Sequence, residues 1–357
     1  MSRQIRRFGP YLLLLVALIG LSTLLVPTPR TATASSYTTP FWTPLASIYE
    51  CPCSCSCNRP GVFSPEGVSY LTGELTYDGF VGSMPGVLGD FDISYRWRSM
   101  TSGVSQLGRG MVPSWEWTLQ SVNSTTKVVR TSAGLTETWT LSSGVWSSSD
   151  CAVHATLTDL GSGIFERKDL QGNKRTFGSD GMQTAIEDRN GNQILFTHNG
   201  YQLTTIVDTR SKTWSVHHDG AGLIDYIDDP CGRRFTFAYD TNANLVEVGY
   251  PATTDQPLGT KVTLGYDGSD RLISVKDQRG NTTLQYAYVG STGQIDYVTI
   301  DGTDVSYAYV SGRTDRTDRN GNVHRTHFSG KDITWTICGS RAPRSTSRPM
   351  PTAARRW

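Results

Sequence analysis

Short stretches of alternating apolar and polar residues, separated by tight-turn sequences, recur along most of the chain. After one such turn, Phe235, Phe237 and Tyr239 occupy every second position, and Ile194 and Phe196 do the same after another. Side chains at every second position of a strand lie on one face of a sheet, so each stretch predicts a β-strand with an apolar face. Helix-forming residues are sparse, and Gly is enriched, with 36 residues. We therefore predict an all-β fold of short strands joined by tight turns.

The turns recur at a nearly fixed period in the middle of the chain. Asp169, Asp188, Asp208 and Asp229 are 19, 20 and 21 residues apart, and each opens a similar unit. Gly stands at the third position after three of them, and Asp or Asn stands at the eleventh position after all four. Each unit thus predicts a strand, a turn, a second strand and a second turn. Because one such unit cannot bury its own apolar face, the period predicts a strand-turn-strand repeat array.

The array is predicted to span residues 161–330, and its pattern loosens after Asp229. The apolar residues that follow Asp277 stand one position later than in the earlier units, which predicts a β-bulge or a change of register. We expect the Asp side chains to cap turns, and Gly191 to need a positive φ. The predicted structural turn residues are Asp169, Gly172, Asp188, Gly191, Asp208, Asp229, Gly232, Asp277, Gly280, Asp318 and Gly321.

Four further segments flank or precede the array. Residues 1–34 combine early Arg residues, an apolar run and a small-x-small sequence, which predicts a secretory signal peptide. An uncleaved membrane anchor is the alternative, and both place the body of the chain outside the cytosol. Residues 35–59 predict a linker with a Cys cluster, and residues 60–160 predict a β-rich leader domain without a fixed period. Residues 331–357 end in an Arg-rich stretch and predict a disordered or truncated tail.

Two sets of motifs resemble those of the RHS/YD-repeat family. One is a Tyr-Asp pair with Gly or Asn just after it, then Leu and a downstream Asp-x-x-Gly, present as Tyr239-Asp240 and Tyr266-Asp267-Gly268. The other lies before the array and consists of Thr72-Gly73-Glu74-Leu75, Tyr95-Arg96-Trp97-Arg98-Ser99, Leu107-Gly108-Arg109-Gly110 and Ser114-Trp115-Glu116. Together the motifs extend over about residues 67–328.

This resemblance implies a β-structure that spirals into a hollow shell or solenoid, as in toxin-complex C components and teneurins. It also implies a secreted or cell-surface protein, often the carrier of a variable carboxy-terminal effector. The chain departs from the family because it lacks the self-cleaving core segment and has few units. We predict a non-catalytic repeat scaffold or binding protein, or the carrier portion of a polymorphic toxin. The alternatives are a toxin precursor whose enzymatic part is missing and a carbohydrate-binding wall protein.

Cys51, Cys53, Cys55 and Cys57 form an unusual cluster in the predicted linker. In an extended chain they point to one side about 6.8 Å apart, which is wide for a disulfide between neighbours. Zinc sites usually have Cys pairs spaced by two to four residues, so this spacing disfavours a metal. An odd total of seven Cys favours a disulfide or an intermolecular cross-link in a secreted chain. A disulfide-linked oligomer is therefore one expectation.

The sequence selects no catalytic site, metal site or cofactor. The Asp-x-x-Gly turns lack the twelfth-position Glu that an EF-type calcium loop requires. No nucleophile elbow, phosphate loop or dinucleotide fingerprint occurs. The net charge of +1 gives no sign of a nucleic-acid partner. We predict that the protein is not an enzyme and that its partners are cell-surface glycans or proteins, with membrane contact only through an uncleaved amino-terminal segment.

Overall fold

The computed structural model describes residues 63–87, 90–150, 153–329 and 332–340, all within the contact unit Glu50–Trp357. These residues form β-strands and their connections without any helix, so the predicted all-β class is confirmed. Accordingly, the described residues include no apolar helix of membrane-spanning length. The predicted signal peptide (residues 1–34) and linker (residues 35–59) lie outside the described residues.

The first five strands lie in what we call the leader segment, residues 63–117. They are β1 (Thr76–Met84), β2 (Phe91–Arg98), β3 (Val104–Ser105), β4 (Gly108–Arg109) and β5 (Met111–Pro113). Strands β1, β2 and β5 form an antiparallel sheet in the order β1–β2–β5, and β3 pairs with β4.

All later strands pair in chain order in one long antiparallel sheet. Among the described residues no pairing joins its last strand to its first, so the sheet is open. Its strands are β6 (Thr118–Asn123), β7 (Thr126–Arg130), β8 (Thr136–Ser142), β9 (Val145–Ser148), β10 (Ala155–Gly161), β11 (Ile164–Asp169), β12 (Lys174–Phe177), β13 (Gln183–Glu187), β14 (Gln193–Asn199), β15 (Gln202–Val207), β16 (Thr213–His218), β17 (Ile224–Asp228), β18 (Arg234–Tyr239), β19 (Leu245–Tyr250), β20 (Thr260–Tyr266), β21 (Leu272–Lys276), β22 (Thr282–Tyr288), β23 (Ile295–Ile300), β24 (Thr303–Val310), β25 (Arg313–Thr317), β26 (Val323–Ser329) and β27 (Asp332–Ser340).

This sheet extends past both predicted limits of the array. Strands β6 to β9 lie in the predicted leader domain, residues 60–160, yet they pair continuously with the strands that follow. Strand β27 lies in the predicted tail, residues 331–357, and pairs with β26. The division between sheets therefore falls near residue 117, at the end of the leader segment.

Because successive strands are antiparallel, their connections alternate between two edges of the sheet. We call the edge that carries the turns after the odd-numbered strands β11 to β25 the first edge. The edge that carries the turns after the even-numbered strands β12 to β24 is the second edge. Even-numbered strands thus run from the first edge to the second, and odd-numbered strands return.

The even-numbered strands keep the alternation that the sequence predicts. Phe235 and Phe237 in β18 are buried, as are Trp214 and Val216 in β16, while the residues between them are more exposed. A large apolar side chain that is fully buried contributes roughly 1.5–3 kcal/mol to stability. The inward face of these strands therefore supplies much of the free energy that holds the array together.

The odd-numbered strands from β13 to β23 follow a different pattern, because each carries a β-bulge near the second edge. Leu203 pairs with His198, whereas Thr205 pairs with Thr197, so one extra residue lies on β15. The bulge rotates the strand and lets two residues three positions apart face the same side. These buried pairs are Leu203 and Ile206, Ile224 and Ile227, Leu245 and Val248, Leu272 and Val275, and Ile295 and Val298. A further shift follows Val275 in the β21–β22 pairing, where the sequence predicts a bulge or a register change.

The described residues form two apolar cores. In the smaller core, seven successive strands contribute one buried side chain each, namely Leu119, Val129, Trp139, Trp146, Leu157, Phe165 and Phe177. Here the Leu119 backbone N–H donates to the Gly181 carbonyl, which ties β6 to the connection after β12. In the larger core, Ile93, Tyr95 and Trp97 of the leader sheet pack against the array strands from β14 to β24. The leader segment thus covers the apolar face of the array.

Candidate functional site: the turn-bearing edges and the leader segment

Each Asp turn of the array is closed by one carboxylate. At Asp188, the backbone N–H donates to the Asn192 carbonyl (3.0 Å), and the Gly191 N–H donates to the Asp188 carbonyl (3.1 Å). Asp188 Oδ1 accepts the backbone N–H groups of Asn190 (2.8 Å) and Asn192 (2.9 Å). The side chain therefore satisfies two amides that the turn leaves without a backbone partner.

The same turn occurs at both edges of the sheet. Six copies lie at the first edge, at the predicted positions Asp169, Asp188, Asp208, Asp229, Asp277 and Asp318. Three further copies, at Asp219, Asp240 and Asp267, lie at the second edge. Two of these three are the residues that stand eleven positions after a first-edge Asp. A single turn design thus closes both ends of the repeat, which the sequence pattern alone did not reveal.

The third residue after the turn Asp lies in the left-handed region. The predicted Gly residues Gly172, Gly191, Gly232, Gly280 and Gly321 have φ values of 90°, 85°, 77°, 82° and 77°. Ser211 takes this position after Asp208 with φ of 58°, and Ala243 and Asp270 take it after Asp240 and Asp267 with φ of 63° and 61°. The turn therefore imposes its backbone conformation even where the residue is not Gly.

The turn carboxylates are committed to the fold. The side-chain amide of Asn192 lowers the pKa of Asp188, and the backbone N–H of Asn281 lowers the pKa of Asp277. Hydrogen bonds to the ionised carboxylate favour that form. Within the described ranges no group of three His, Cys, Asp or Glu residues is arranged to hold a metal ion. These Asp residues act as structural caps in the geometry that the chain adopts.

A row of Tyr residues links neighbouring strands at the second edge. Each Tyr stands near the end of an even-numbered strand, and its hydroxyl donates to the carbonyl of the first residue of the preceding odd-numbered strand. The pairs are Tyr239 with Ile224 (2.8 Å), Tyr266 with Leu245 (3.0 Å), Tyr288 with Leu272 (2.7 Å) and Tyr309 with Ile295 (2.8 Å). Burial raises the pKa of all four hydroxyls. The Tyr of the Tyr-Asp motif is therefore a hydrogen-bond donor within the repeat, a role that its fixed position before Asp could have suggested.

The leader segment crosses the second edge through polar contacts. The Leu203 backbone N–H donates to Gln106 Oε1 (2.8 Å), and the Ile224 N–H donates to the Gln106 carbonyl (2.8 Å). His218 Nε2 lies 3.1 Å from the same Oε1 atom. The Arg109 N–H donates to the Ala243 carbonyl (2.8 Å). One short leader stretch thus engages the second edge over three successive repeats.

Earlier leader residues engage later repeats. Ser99 Oγ donates to the Gly293 carbonyl (2.7 Å), and the Ile295 N–H donates to the Gly73 carbonyl (3.0 Å). Thr314 Oγ1 donates to the Tyr70 carbonyl. None of these leader residues stands out in the sequence as a partner of the array, because the contacts are distant along the chain.

A buried ion pair fixes the beginning of the leader segment. Arg316 donates to both oxygens of Glu66, with Nε 2.9 Å from Oε2, and the Tyr307 hydroxyl donates to Oε2 (2.7 Å). The Glu66 and Arg316 side chains are only 6% and 11% exposed. Burial opposes ionisation of Glu66, but the Arg316 guanidinium outweighs it and lowers the pKa of the carboxyl. Glu66 therefore remains ionised and joins the first residues of the leader segment to β25.

The outer face of the sheet carries exposed aromatic residues beside charged ones. The His217 ring stacks on Tyr226 with centroids 4.2 Å apart, and the Arg234 guanidinium lies 3.6 Å from the Tyr226 ring centroid. His217 and Arg234 come from the strands on either side of β17. The Tyr226 ring is therefore in contact with side chains of the protein itself, whereas Tyr201, at 76% exposure, is open to solvent.

The four clustered Cys residues, Cys51, Cys53, Cys55 and Cys57, lie outside the described residues, so their pairing stays a prediction. Cys231 follows Asp229 in a first-edge turn, where its thiol is exposed and free. Its backbone N–H donates to Asp229 Oδ1 (2.8 Å), which makes it part of the turn.

No protein-family model and no curated protein matches the chain. Among solved structures, the chain is similar to the Tc holotoxin pore of Photorhabdus luminescens with a mutated TccC3 component, at 10% identity and a TM-score of 0.36. That match covers 78% of this chain and 17% of the other. A second similarity is to a TcdB2–TccC3–Cdc42 complex, at 9% identity and a TM-score of 0.27, over 76% of this chain and 14% of the other. The chain thus spans less than a fifth of the length of these proteins.

Proposed function

We propose that the protein is a non-catalytic, secreted or cell-surface repeat scaffold. The observation that carries this proposal is that the Asp, Tyr and Glu side chains at the array edges form hydrogen bonds and ion pairs within the protein. The turn Asp residues accept backbone amides, the Tyr row donates to carbonyls, and Glu66 is paired with Arg316. These particular side chains are thus engaged in holding strands and leader together.

A more specific form of this proposal is a shell-like spiral of the RHS/YD-repeat type that serves as the carrier portion of a polymorphic toxin. It is supported by the Tyr-Asp motifs, whose Tyr hydroxyls bind the neighbouring strand at Tyr239 and Tyr266. It is also supported by the leader segment, which covers the apolar face of the array and would line the interior of such a spiral.

Surface exposure on intact cells tests the localisation. The connection between β19 and β20 projects into solvent, with Leu258 fully exposed, so an epitope inserted there should leave the sheet intact. We expect antibody to bind intact cells or the culture medium fraction. Detection only after lysis, with the protein folded, would contradict the proposed location.

The carrier form is tested by the gene downstream of the codon for Trp357. Further repeats and an effector-coding region in the same reading frame support a carrier, and the purified effector alone should then hold any toxicity. Toxic or hydrolytic activity in the 357-residue chain itself would show that the scaffold assignment is wrong. Glycan-array binding that depends on exposed aromatic residues such as Tyr201 would favour the carbohydrate-binding alternative.

A further inference from the structure

Neighbouring turns at the second edge leave a groove between them. The groove between the Asp219 and Asp240 turns is open, with a volume of about 350 Å³. Leu223, Phe237 and Tyr239 provide its apolar lining, and the carboxylates of Asp219, Asp225 and Asp240 surround it. We call this cavity the open groove.

The corresponding groove two turns further along is filled by an Arg side chain of the protein itself. Arg271 stands four residues after Asp267, and its guanidinium lies 4.6 Å from the Tyr288 ring centroid. It donates to the carbonyls of Gly290 (2.8 Å) and Thr292 (2.8 Å), and it pairs with Asp267 (2.7 Å). A guanidinium stacked on the repeat Tyr and held by the turn is therefore a geometry that this edge accommodates.

The open groove has the same Tyr but lacks the cation. Leu223 stands four residues after Asp219, where the filled groove has Arg271, and Tyr239 corresponds to Tyr288. The groove between these two is closed differently, since the Asn244 amide donates to Asp240 and to Asp270. An empty guanidinium position thus remains only beside Tyr239 among these three grooves.

The charges around the open groove favour a cation from outside. Asp225 and Asp240 stand where the filled groove has Ile273 and Val289, so the open groove has two additional carboxylates. Among the described residues no cation forms an ion pair with Asp219, Asp225 or Asp240. The charged neighbour Arg234 is itself paired with Asp228 and stacked on Tyr226.

We propose that the open groove binds the guanidinium of an arginine side chain presented by a partner protein. The planar group would stack on the Tyr239 ring and donate to the surrounding carboxylates, as guanidinium groups do at aromatic and acidic sites. This proposal does not rest on the scaffold role, because it concerns only the groove and its charge.

Titration calorimetry of the full chain with N-acetyl-arginine methylamide tests the site. Its neutral isostere N-acetyl-citrulline methylamide is the matched probe. We expect the arginine compound to bind with millimolar affinity that weakens with added salt, and the citrulline compound not to bind. Asp225→Asn should weaken binding by about threefold, since one exposed carboxylate contributes modestly.

Leu223→Arg provides the sharpest variant, because it supplies the cation from the chain as Arg271 does in the filled groove. We expect this variant to fold and to lose binding of the arginine compound. Asp255→Asn, in the exposed connection after β19, is the control and should bind as the parent does. Equal binding of the two probes, or full binding by folded Leu223→Arg, would overturn the proposal, whereas an unfolded Leu223→Arg leaves Asp225→Asn to decide.

Discussion

At Gly191 the backbone φ of 85° is one that residues with a side chain adopt at a cost, although nothing lies within 4 Å of a Cβ built there. Gly191→Val should therefore destabilise the protein through the backbone alone, by about 1–3 kcal/mol. Urea unfolding would measure the loss. The matched control is Gly268→Ala in a second-edge turn, where φ lies outside the left-handed region and the added methyl meets open space. Equal stability of the two variants would argue against this explanation.

The sequence predicts these turns well because their chemistry is local. An Asp whose carboxylate accepts hydrogen bonds from the backbone N–H groups two and four residues later needs no distant partner. The regular spacing of such Asp residues is therefore visible in the sequence. The exceptions Ser211 and Ala243 were not predictable, since Ser and Ala do not indicate a positive φ, whereas Asp270 is of a residue type that tolerates it. Only the hydrogen bonds of the complete turn make that backbone conformation favourable enough at a non-Gly residue.

Glu116, at the junction between the leader segment and β6, is expected to make stability depend on pH. Its Oε2 is buried without a hydrogen bond from the described residues, and burial raises the pKa to about 7. A carboxyl whose pKa is higher in the folded than in the unfolded state contributes fully to the stability of the fold below its unfolded-state pKa. This contribution is lost as the pH rises towards 7. Glu116→Gln should therefore increase stability by about 3 kcal/mol at pH 8 relative to the parent and change it little at pH 4. Thermal unfolding at both pH values measures this, and a gain that is equal at both would contradict it.

At the scale of the element, the Tyr row joins each even-numbered strand to the odd-numbered strand before it. Tyr288→Phe removes the hydroxyl that donates to the Leu272 carbonyl but keeps the ring under Arg271. We expect a loss of about 1 kcal/mol from this single hydrogen bond. Tyr201→Phe is the control. Because Tyr201 is 76% exposed, the loss of its hydroxyl should leave the unfolding midpoint unchanged. Hydrogen exchange at the β21–β22 pairing should increase in the first variant only.

Even-numbered strands were predictable and odd-numbered strands only partly so. Phe235 and Phe237 show the two-residue period of a regular strand, whereas Leu245 and Val248 are three residues apart, a spacing equally compatible with a helix. Their common orientation depends on the bulge opposite Tyr239, which requires the neighbouring strand to be in place. Alternation along one strand cannot specify a feature that two strands create together.

At the scale of the whole molecule, the leader segment was predicted as a β-rich region but not as the cover of the array. Leader residues such as Trp97 contact strands far along the chain, where its ring meets Tyr266 edge-on at 6.4 Å. The first strands after the leader, β6 to β9, belong to the long sheet although their sequences lack the repeat period. Packing between distant segments leaves no periodic signal, so neither relation could be inferred from spacing.

The Glu66–Arg316 pair provides a direct measure of how strongly the leader segment holds the array, because it joins the first residues of the leader to β25. Glu66→Gln leaves the mostly buried Arg316 without its counter-charge, so we expect a loss of about 3 kcal/mol in urea unfolding at neutral pH. The exposed pair of Glu247 and Lys261 serves as the control, and Glu247→Gln should cost less than about 1 kcal/mol. Since the pKa of Glu66 is lowered in the fold, its contribution is present above the unfolded pKa and lost as the pH falls through the folded value. The difference between parent and Glu66→Gln should therefore shrink in acid.

In the double variant Glu66→Gln with Arg316→Met, removal of the unpaired charge should recover part of the lost stability. Additive losses in that variant would show that the two side chains act independently and that their pairing does not hold the leader.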